Sequence, residues 1–389
     1  MSTKSTSPDP TTQSGLDVVD ERGPPATGGA WYRGENCNFN PLHEDLATAA
    51  MVADRVLRGW LPPEPLINPK TRVTAFGSCF ARHICEWLNA RDFNVLNRDA
   101  ESSAHIVNMG DGLVNTFSIL EQLRWAFDGE HYEGEYWHGP KAAILHDSEG
   151  ARRDTRRILL DTDVFIITLG LSEIWCDKTT GGVFWRGVPS RLFDPERHAF
   201  RVVSFEENKR NIRSIHDLIR KHRPDAKVIF SVSPIPLAAT FRPVSCITAN
   251  SVSKALLRGA VDEVHREVSG EGAMFYWPSY EIVLDVFDRP WMSDRRHVRK
   301  PVLNFVMTLF ERSWCSGSKP SGPGVAEAYA MALLATGTVA GRIGKGLSAA
   351  IPHRDAAGLQ PLLASAEADP EKAFAAAAIR DVLDEWEAR

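Results

Sequence analysis

Two short stretches of almost uninterrupted apolar residues constrain the fold of this chain most. Residues 163–170 (DVFIITLG) and 226–232 (AKVIFSV) lack the alternation of polar and apolar positions that a half-exposed strand shows. Strands of this kind are covered on both faces, which is typical of a parallel sheet. Gly170 ends the first stretch, and the prolines at 234 and 236 end the second. We therefore predict a sheet of buried parallel strands.

Strands and helices are predicted to alternate over roughly 240 residues, which indicates an α/β fold with a doubly wound, mostly parallel sheet. The other predicted strands are residues 73–77, 93–96 and 274–277, and the main predicted helices are residues 116–127, 205–220 and 249–268. In sheets of this class, ligands bind beyond the carboxyl ends of the strands. Polar residues that directly follow a strand are therefore the first candidates for a functional site.

Changes in composition divide the chain into four regions. Residues 1–30 are rich in Ser, Thr, Pro and Gly and are predicted to be disordered. Residues 31–69 are predicted to form an arm with one helix, and residues 70–315 a catalytic domain. Residues 316–389 begin as a Gly/Ser/Pro linker and continue as an Ala-rich, helix-favouring extension. We expect these C-terminal helices to pack on the domain or to form a homo-oligomer.

Charge and hydropathy exclude several classes of partner. The chain has 45 basic and 50 acidic residues and a formal net charge of -5, without a long Lys/Arg run, so nucleic acid is not an expected partner. No stretch approaches the roughly 18 apolar residues of a membrane-spanning helix, and no signal segment is evident. We expect a cytoplasmic protein without membrane insertion. The 6 cysteines form no CxxC pair, so neither a disulfide framework nor a structural zinc site is predicted.

The most informative turn joins the predicted strand at residues 73–77 to a helix that begins near Cys79. Gly77, Ser78 and Cys79 place a hydroxyl and a thiol beside a helix N-terminus, whose free N–H groups stabilise a developing negative charge. The same helix end favours the thiolate of Cys79, so this residue is a candidate nucleophile. Ser78 has a second interpretation, as an N-cap that only binds a helix N–H.

Asp294 and His297, three residues apart on a predicted turn, form the second candidate pair. The carboxylate would orient the imidazole, which would act as general base and then as general acid. The same pattern is also common on surface turns with basic neighbours. Its catalytic interpretation therefore depends on the nucleophile candidate at Cys79.

Polar residues at the same predicted sheet edge could bind substrate or an oxyanion. After the strand that ends at Gly170, the Gly170 N–H and the side chains of Ser172 and Glu173 are candidates. Ser172 could equally cap a helix that begins there, and Asn115 could be either an N-cap or a pocket amide. Arg242, on a loop after another strand, could pair with an anionic group of the substrate or simply be solvated.

The histidines at positions 131, 138 and 146 raise the possibility of a metal site. Their spacing of seven and eight residues does not place them on one helix face, and no carboxylate partner is evident. No metal is predicted.

Residues 77–81 spell GSCFA, the string for which the GSCFA family is named, and the chain resembles that family beyond this string. The supporting stretches are residues 168–175 (TLGLSEIW), 232–237 (VSPIPL), 278–282 (PSYEI) and 296–298 (RHV). The family is similar to the SGNH/GDSL hydrolase superfamily. This resemblance implies a flavodoxin-like three-layer α/β/α sandwich, with a nucleophile in the first strand-to-helix turn and a DxxH pair near the end of the domain.

The chain departs from the superfamily at two places. In the Gly-Asp-Ser block the nucleophile falls on Cys79, as in some polysaccharide-modifying relatives, and Ser78 stands where Asp is usual. The resemblance therefore favours Cys79 over Ser78 as the nucleophile, and both remain candidates. The Gly-x-Asn-Asp block is matched only by residues 170–173, so Ser172 replaces the oxyanion asparagine. Either Asn115 or backbone N–H groups substitute for that donor, or the chemistry is not simple hydrolysis.

These residues predict an acyl-ester hydrolase or acyltransferase that works through a covalent acyl-enzyme. Cys79 would attack, His297 would transfer the proton, Asp294 would orient His297, and the N–H groups of Cys79 and Gly170 would hold the oxyanion. The expected substrate is a small-molecule or saccharide acyl compound, such as a secondary metabolite. No cofactor is predicted, except an acyl thioester donor for a transferase. The alternative is a catalytically inactive binding or scaffold protein with the same fold.

Overall fold

The computed structural model divides the chain into two units, residues 1–43 and 44–389. The described residues are 38–98, 102–108, 112–130, 136–138, 143–145, 148–185, 187–317 and 322–388. In the first unit they are residues 38–43, which are irregular up to a 3-10 turn that starts at His43. The predicted disordered tail, residues 1–30, lies outside the described residues.

Strands and helices alternate through the second unit. The described strands are β1 (Val73–Gly77), β2 (Tyr136–His138), β3 (Ala143–Leu145), β4 (Val164–Leu169), β5 (Glu173–Asp177), β6 (His198–Val202), β7 (Lys227–Val232) and β8 (Met274–Tyr276). The described helices are α1 (Ala49–Leu57), α2 (Cys79–Asn89), α3 (His105–Asn108), α4 (Thr116–Asp128), α5 (Glu149–Asp161), α6 (Phe205–His222), α7 (Cys246–Val268), α8 (Ser279–Asp285), α9 (Lys300–Trp314), α10 (Val325–Thr336), α11 (Gly341–Ala350), α12 (Ala356–Glu367) and α13 (Ala373–Glu387).

The central sheet has the strand order β1-β4-β7-β8, and its strands are parallel. Every residue of β1 and β4 is buried, as the apolar stretches predict. Gly77 pairs with Thr168, and Thr168 pairs with Ser231, so the carboxyl ends of these strands meet at one edge of the sheet. The predicted parallel sheet is therefore confirmed.

Both faces of the sheet are apolar and covered by helices. In β4, Val164 and Ile166 belong to the hydrophobic cluster that includes residues of α2 and α9. Phe165, Ile167 and Leu169 point the other way, into the cluster that includes residues of α4, α6 and α7. Alternate side chains of one strand thus enter two separate cores. This arrangement is a three-layer α/β/α sandwich, and the predicted fold class is confirmed.

The strand predicted at residues 93–96 is reduced to one parallel bridge, in which the Val73 N–H donates to the Asn94 carbonyl at 2.8 Å. Beyond this bridge the chain turns into a 3-10 helix at residues 96–98. Asn97 then bonds the outer edge of β1 through its side chain, because its amide donates to the Ala75 carbonyl at 2.7 Å and accepts from the Ala75 N–H at 3.3 Å. A side-chain amide replaces the strand ladder here.

The segment after Gly170 is a strand, which excludes the interpretation of Ser172 as the cap of a new helix. Residues of β5 pair antiparallel with β6, from Glu173 opposite Val202 to Asp177 opposite His198. This hairpin extends from the sheet edge at which β4 ends. It therefore carries residues close to the region where ligands bind in parallel sheets.

The Ala-rich extension packs on the same core as α2 and α9. The rings of Phe305 on α9 and Tyr329 on α10 are 4.7 Å apart between centroids, and the Tyr329 hydroxyl donates to the Leu46 carbonyl at 2.5 Å. Asp381 on α13 accepts a hydrogen bond from the Ala49 N–H at the start of α1, at 2.9 Å. Homo-oligomer formation stays a prediction. None of the helices in the described part of the chain has the length and hydropathy needed to cross a bilayer.

Candidate active site

The turn between β1 and α2 requires glycine at position 77. Gly77 has φ +126°, a conformation that L side chains rarely adopt. A Cβ atom at this position would lie 2.1 Å from the carbonyl oxygen of Thr168 on the neighbouring strand. Only a residue without a side chain lets β1 and β4 approach this closely while the chain turns into the helix.

Ser78 is a buried N-cap whose hydroxyl is already engaged. Its Oγ accepts a hydrogen bond from the Phe80 N–H at 3.2 Å and lies 2.9 Å from Thr168 Oγ1. The Ser78 N–H in turn donates to Thr168 Oγ1 at 2.7 Å. The N-cap interpretation of Ser78 is therefore confirmed, and Thr168 holds its side chain against β4.

Ser78→Ala is expected to lower the free energy of unfolding by about 1–2 kcal/mol, because the helix loses its N-cap. Denaturant unfolding would measure this change. Ser190→Ala, at an exposed serine, is the matched control and should change stability by less than about 0.5 kcal/mol. Equal stability of the two variants would contradict the capping role.

Cys79 is the first residue of α2, and its side chain is partly exposed. No acceptor for its backbone N–H occurs within the described residues, as expected for the first N–H groups of a helix. By contrast, Cys85 in the same helix is buried, and burial raises the pKa of its thiol to about 12. Cys79 therefore combines an accessible thiol with a free N–H at the carboxyl end of β1.

Asp294 and His297 lie on a hairpin closed by an antiparallel bridge between Trp291 and Val298. Asp294 Oδ1 accepts hydrogen bonds from the N–H groups of Arg296 and His297, each at 3.0 Å, and its Oδ2 is bonded to His297 Nδ1. These bonds hold the pKa of the Asp294 carboxyl well below its usual range. Because a carboxylate only accepts, His297 carries its proton on Nδ1, and Nε2 is left for chemistry. Arg295, with φ +55°, makes the turn.

The hairpin lies close to α2. His83, one helical turn after Cys79, has its pKa lowered mainly by burial, with the charges of Arg82 and of His297 acting in the same direction. Trp291 and Val298, the ends of the hairpin, also pack on the core cluster that includes α2. The hairpin that carries Asp294 and His297 therefore packs on the same core as the helix that begins at Cys79.

Gly170 and Ser172, predicted to face an oxyanion, have other partners. The Gly170 N–H donates to the Val114 carbonyl at 2.7 Å. The Ser172 N–H donates to Ser253 Oγ at 2.7 Å, and its hydroxyl donates to the Ser253 carbonyl at 3.1 Å. Ser172 is fully buried. Both residues thus join the end of β4 to neighbouring segments, and neither donor is free for an oxyanion.

The remaining predicted pocket residues differ in accessibility. Asn115 is the N-cap of α4, since its Oδ1 accepts from the Ser118 N–H at 2.9 Å. Glu173 is buried and accepts a hydrogen bond from the Thr240 hydroxyl at 2.9 Å. Arg242 is partly exposed, and within the described residues its guanidinium forms no ion pair. Arg242 is therefore the member of this set that remains available to a ligand.

An aromatic surface lies beside Arg242 on the loop after β7. Phe241 is 62% exposed, and its ring lies 4.8 Å from that of Trp175 and 5.3 Å from that of Phe200, between centroids. Phe193, 47% exposed, also contacts Trp175, at 5.6 Å between ring centroids. Exposed aromatic rings next to a partly exposed guanidinium form a surface suited to an apolar group with an acidic end.

Lys254 on α7 fixes the backbone at this edge. Its Nζ donates to the carbonyl oxygens of Gly170, Ser233 and Ile235 at 2.6, 2.7 and 2.9 Å. Burial lowers the pKa of Lys254 to about 7. Three acceptors nevertheless match the three N–H bonds of the ammonium form, which favours the charged state. Lys254 therefore ties the ends of β4 and β7 together.

No cluster of three or more His, Cys, Asp or Glu side chains suited to a metal occurs within the described residues. His131 and His146 lie outside these residues, and only the backbone of His138, in β2, is described.

Three residues near the site were not singled out from the sequence. His83 could have been found from its position four residues after Cys79, which places both on one helix face. Lys254 falls among the apolar positions of α7, three residues before the buried Leu257. For Thr168, which is part of a buried strand, the sequence contains no such signal.

The fold and the site together define an α/β sandwich protein with an accessible cysteine at its first strand-to-helix turn. The chain belongs to the GSCFA family, whose model matches residues 72–310. The matched region extends from β1 into α9 and contains both Cys79 and the Asp294–His297 hairpin. No curated protein matches the chain.

Proposed function

We propose that this protein transfers acyl groups through a thioester formed at Cys79. The observation that carries the proposal is the contrast within the turn. The thiol of Cys79 is accessible beside a free N–H, whereas the hydroxyl of Ser78 is buried and hydrogen bonded. A nucleophile with an adjacent N–H donor is the minimum that acyl transfer requires.

In the proposed reaction, the sulfur of Cys79 attacks the acyl carbonyl and a C–S bond forms. Negative charge develops on the carbonyl oxygen, which the Cys79 N–H and the positive end of α2 stabilise. The bond to the leaving group then breaks, and His297 gives the leaving group the proton that it took from the thiol. In the second half, His297 takes a proton from the acceptor, the acceptor oxygen or nitrogen attacks the thioester, and the proton returns to the sulfur. Asp294 holds Nδ1 of His297 throughout.

The acceptor decides between the two forms of the activity. Water gives an esterase, whereas a hydroxyl or amine of a saccharide or secondary metabolite gives an acyltransferase. For a transferase, the donor is an acyl thioester. The partly exposed guanidinium of Arg242 and the exposed ring of Phe241 support a donor that has an anionic group as well as an apolar part.

Mass spectrometry of the full chain after incubation with an aryl acetate and with a small acyl thioester tests the proposal. We expect one acyl adduct, located by peptide mapping at Cys79. The adduct should be absent in Cys79→Ala and present in Ser78→Ala. An adduct that persists in Cys79→Ala, or one that disappears in Ser78→Ala while the fold is intact, would overturn the assignment of the nucleophile.

The second candidate function is a binding or scaffold protein without turnover. It is favoured by one observation, namely that the Gly170 N–H and Ser172 are engaged in structural hydrogen bonds where an oxyanion donor would be needed. Under this alternative no adduct forms on the wild-type protein with either donor, and His297→Ala leaves the cellular function intact.

A further inference from the structure

His83 offers a second imidazole close to the thiol of Cys79. The two residues are four apart in α2, a spacing that puts their Cβ atoms about 5–6 Å from each other on one helix face. Helical side chains lean toward the N-terminus, a direction that lets the ring of His83 turn toward Cys79. The His83 side chain is 32% exposed, which leaves it open to the same edge of the site.

His83 also has its own carboxylate. Its Nδ1 lies 3.6 Å from Oε2 of Glu86, three residues further along the helix. This contact is longer than the hydrogen bond between Asp294 and His297, but it places a carboxylate on the Nδ1 side of the ring and leaves Nε2 for proton transfer. The protein therefore has two pairs of one imidazole and one carboxylate, one on α2 and one on the hairpin that packs on the same core.

The two imidazoles are not independent. Burial lowers the pKa of His83, Glu86 raises it, and the charges of Arg82 on α2 and of His297 on the hairpin lower it further. When one ring is protonated, protonation of the other is disfavoured.

We propose that His83, and not His297, is the base that takes the proton of the Cys79 thiol. This inference rests on the proposed acyl transfer for its role in turnover, but the pairing of thiol and imidazole can be tested without it. The S–H bond breaks as an N–H bond forms on Nε2 of His83, and Glu86 stabilises the imidazolium. The thiolate forms the C–S bond, and the departing group takes the proton from His83.

His297 then serves the second half of the reaction. It takes the proton of the acceptor as the new acyl bond forms, and it returns that proton to the sulfur as the C–S bond breaks. Each histidine ends the cycle in the state in which it began. In place of His297 as the base in both halves of the reaction, each half thereby has its own histidine as base.

Alkylation of Cys79 by iodoacetamide tests the pairing without any acyl substrate. In the full chain, the rate at Cys79 is followed by peptide mass spectrometry between pH 5.5 and 9. His83→Gln should slow alkylation at pH 7 by about tenfold, which corresponds to a rise of one unit in the thiol pKa. His297→Gln should change the rate by less than about twofold. His353→Gln, at an exposed histidine near the end of α11, is the matched control and should leave the rate unchanged.

Two results would overturn the proposal. One is a His83→Gln variant with an unchanged thermal midpoint that is alkylated at the wild-type rate. The other is a slower alkylation of Cys79 in His297→Gln and not in His83→Gln. If alkylation depends on His83 but no acyl adduct forms on the wild-type protein, the acyl-transfer function fails while the pairing stands. If the adduct forms, His83→Gln should slow its appearance, and His297→Gln should let it accumulate.

Discussion

His297→Ala is expected to lower kcat for acyl turnover by about 100- to 10,000-fold, the range that a general acid–base contributes. The ring is 61% exposed and its main polar partner is Asp294, so its removal should leave the fold intact. KM should change little if His297 serves both halves of the reaction, and it should fall together with kcat if His297 serves only the second half, because the acyl-enzyme then accumulates. Steady-state kinetics with an aryl ester, together with a thermal midpoint, would measure both effects.

Asp294→Asn tests whether the carboxylate orients the ring. An asparagine can present an N–H to Nδ1 and so stabilise the wrong tautomer, and we expect a loss in kcat comparable to that of His297→Ala. His353→Gln serves again as the control. Full activity in Asp294→Asn would contradict the proposed role of the hairpin.

The pH dependence of acyl turnover distinguishes protonation of Asp294 from protonation of His297. The pKa of the Asp294 carboxyl is held well below its usual range, so this group stays ionised from pH 5 upward. Loss of activity on acidification should therefore report protonation of the histidine bases and not of Asp294. In Asp294→Asn the remaining activity should still fall with decreasing pH.

Gly77→Ala is expected to destabilise the protein by more than about 4 kcal/mol, because a backbone atom blocks the space that the new Cβ needs. The Cβ would lie 2.1 Å from the Thr168 carbonyl oxygen, which belongs to the ladder between β1 and β4 and cannot move away like the end of a side chain. The φ of +126° adds strain of its own. Denaturant unfolding, or the loss of soluble protein where the variant fails to fold, would record the effect.

Gly337→Ala separates the two causes of destabilisation, which are the contact of the new Cβ with Thr168 and the strain of a positive φ. Gly337 follows α10 with φ +83°, and a Cβ there would meet nothing within 4 Å. This variant should lose only about 1–2 kcal/mol, the cost of the left-handed conformation alone. A similar loss at both positions would show that the contact with Thr168 does not matter.

The sequence was most informative where a property is local or periodic. The buried strands β4 and β7, and helices such as α6, follow from apolar spacing that packing on both faces of a sheet requires. The turn at Gly77 was recognised for the same reason, since a glycine between a strand and a helix indicates an unusual backbone conformation.

The sequence was less informative where a polar group has alternative partners. Ser172 was expected to face a pocket or to cap a helix, whereas its hydroxyl is bound to the carbonyl of Ser253, 81 residues away. The Gly170 N–H was a candidate oxyanion donor, whereas it donates its hydrogen bond to the Val114 carbonyl. Such contacts depend on how distant segments meet, and no local pattern predicts them.

By itself, the sequence determined the α/β class, the edge of the sheet at which a site would lie, and the candidates Cys79, Asp294 and His297. Only the tertiary structure separated Ser78 from Cys79, because the neighbouring strand supplies the Thr168 hydroxyl that engages the serine. Only the tertiary structure also showed that the hairpin with His297 packs on the same core as the helix with His83, since hairpin and helix lie more than 200 residues apart in the chain. The physical reason is the same in both cases: hydrogen bonds and Coulomb interactions depend on distance in space, whereas the sequence records only separation along the chain.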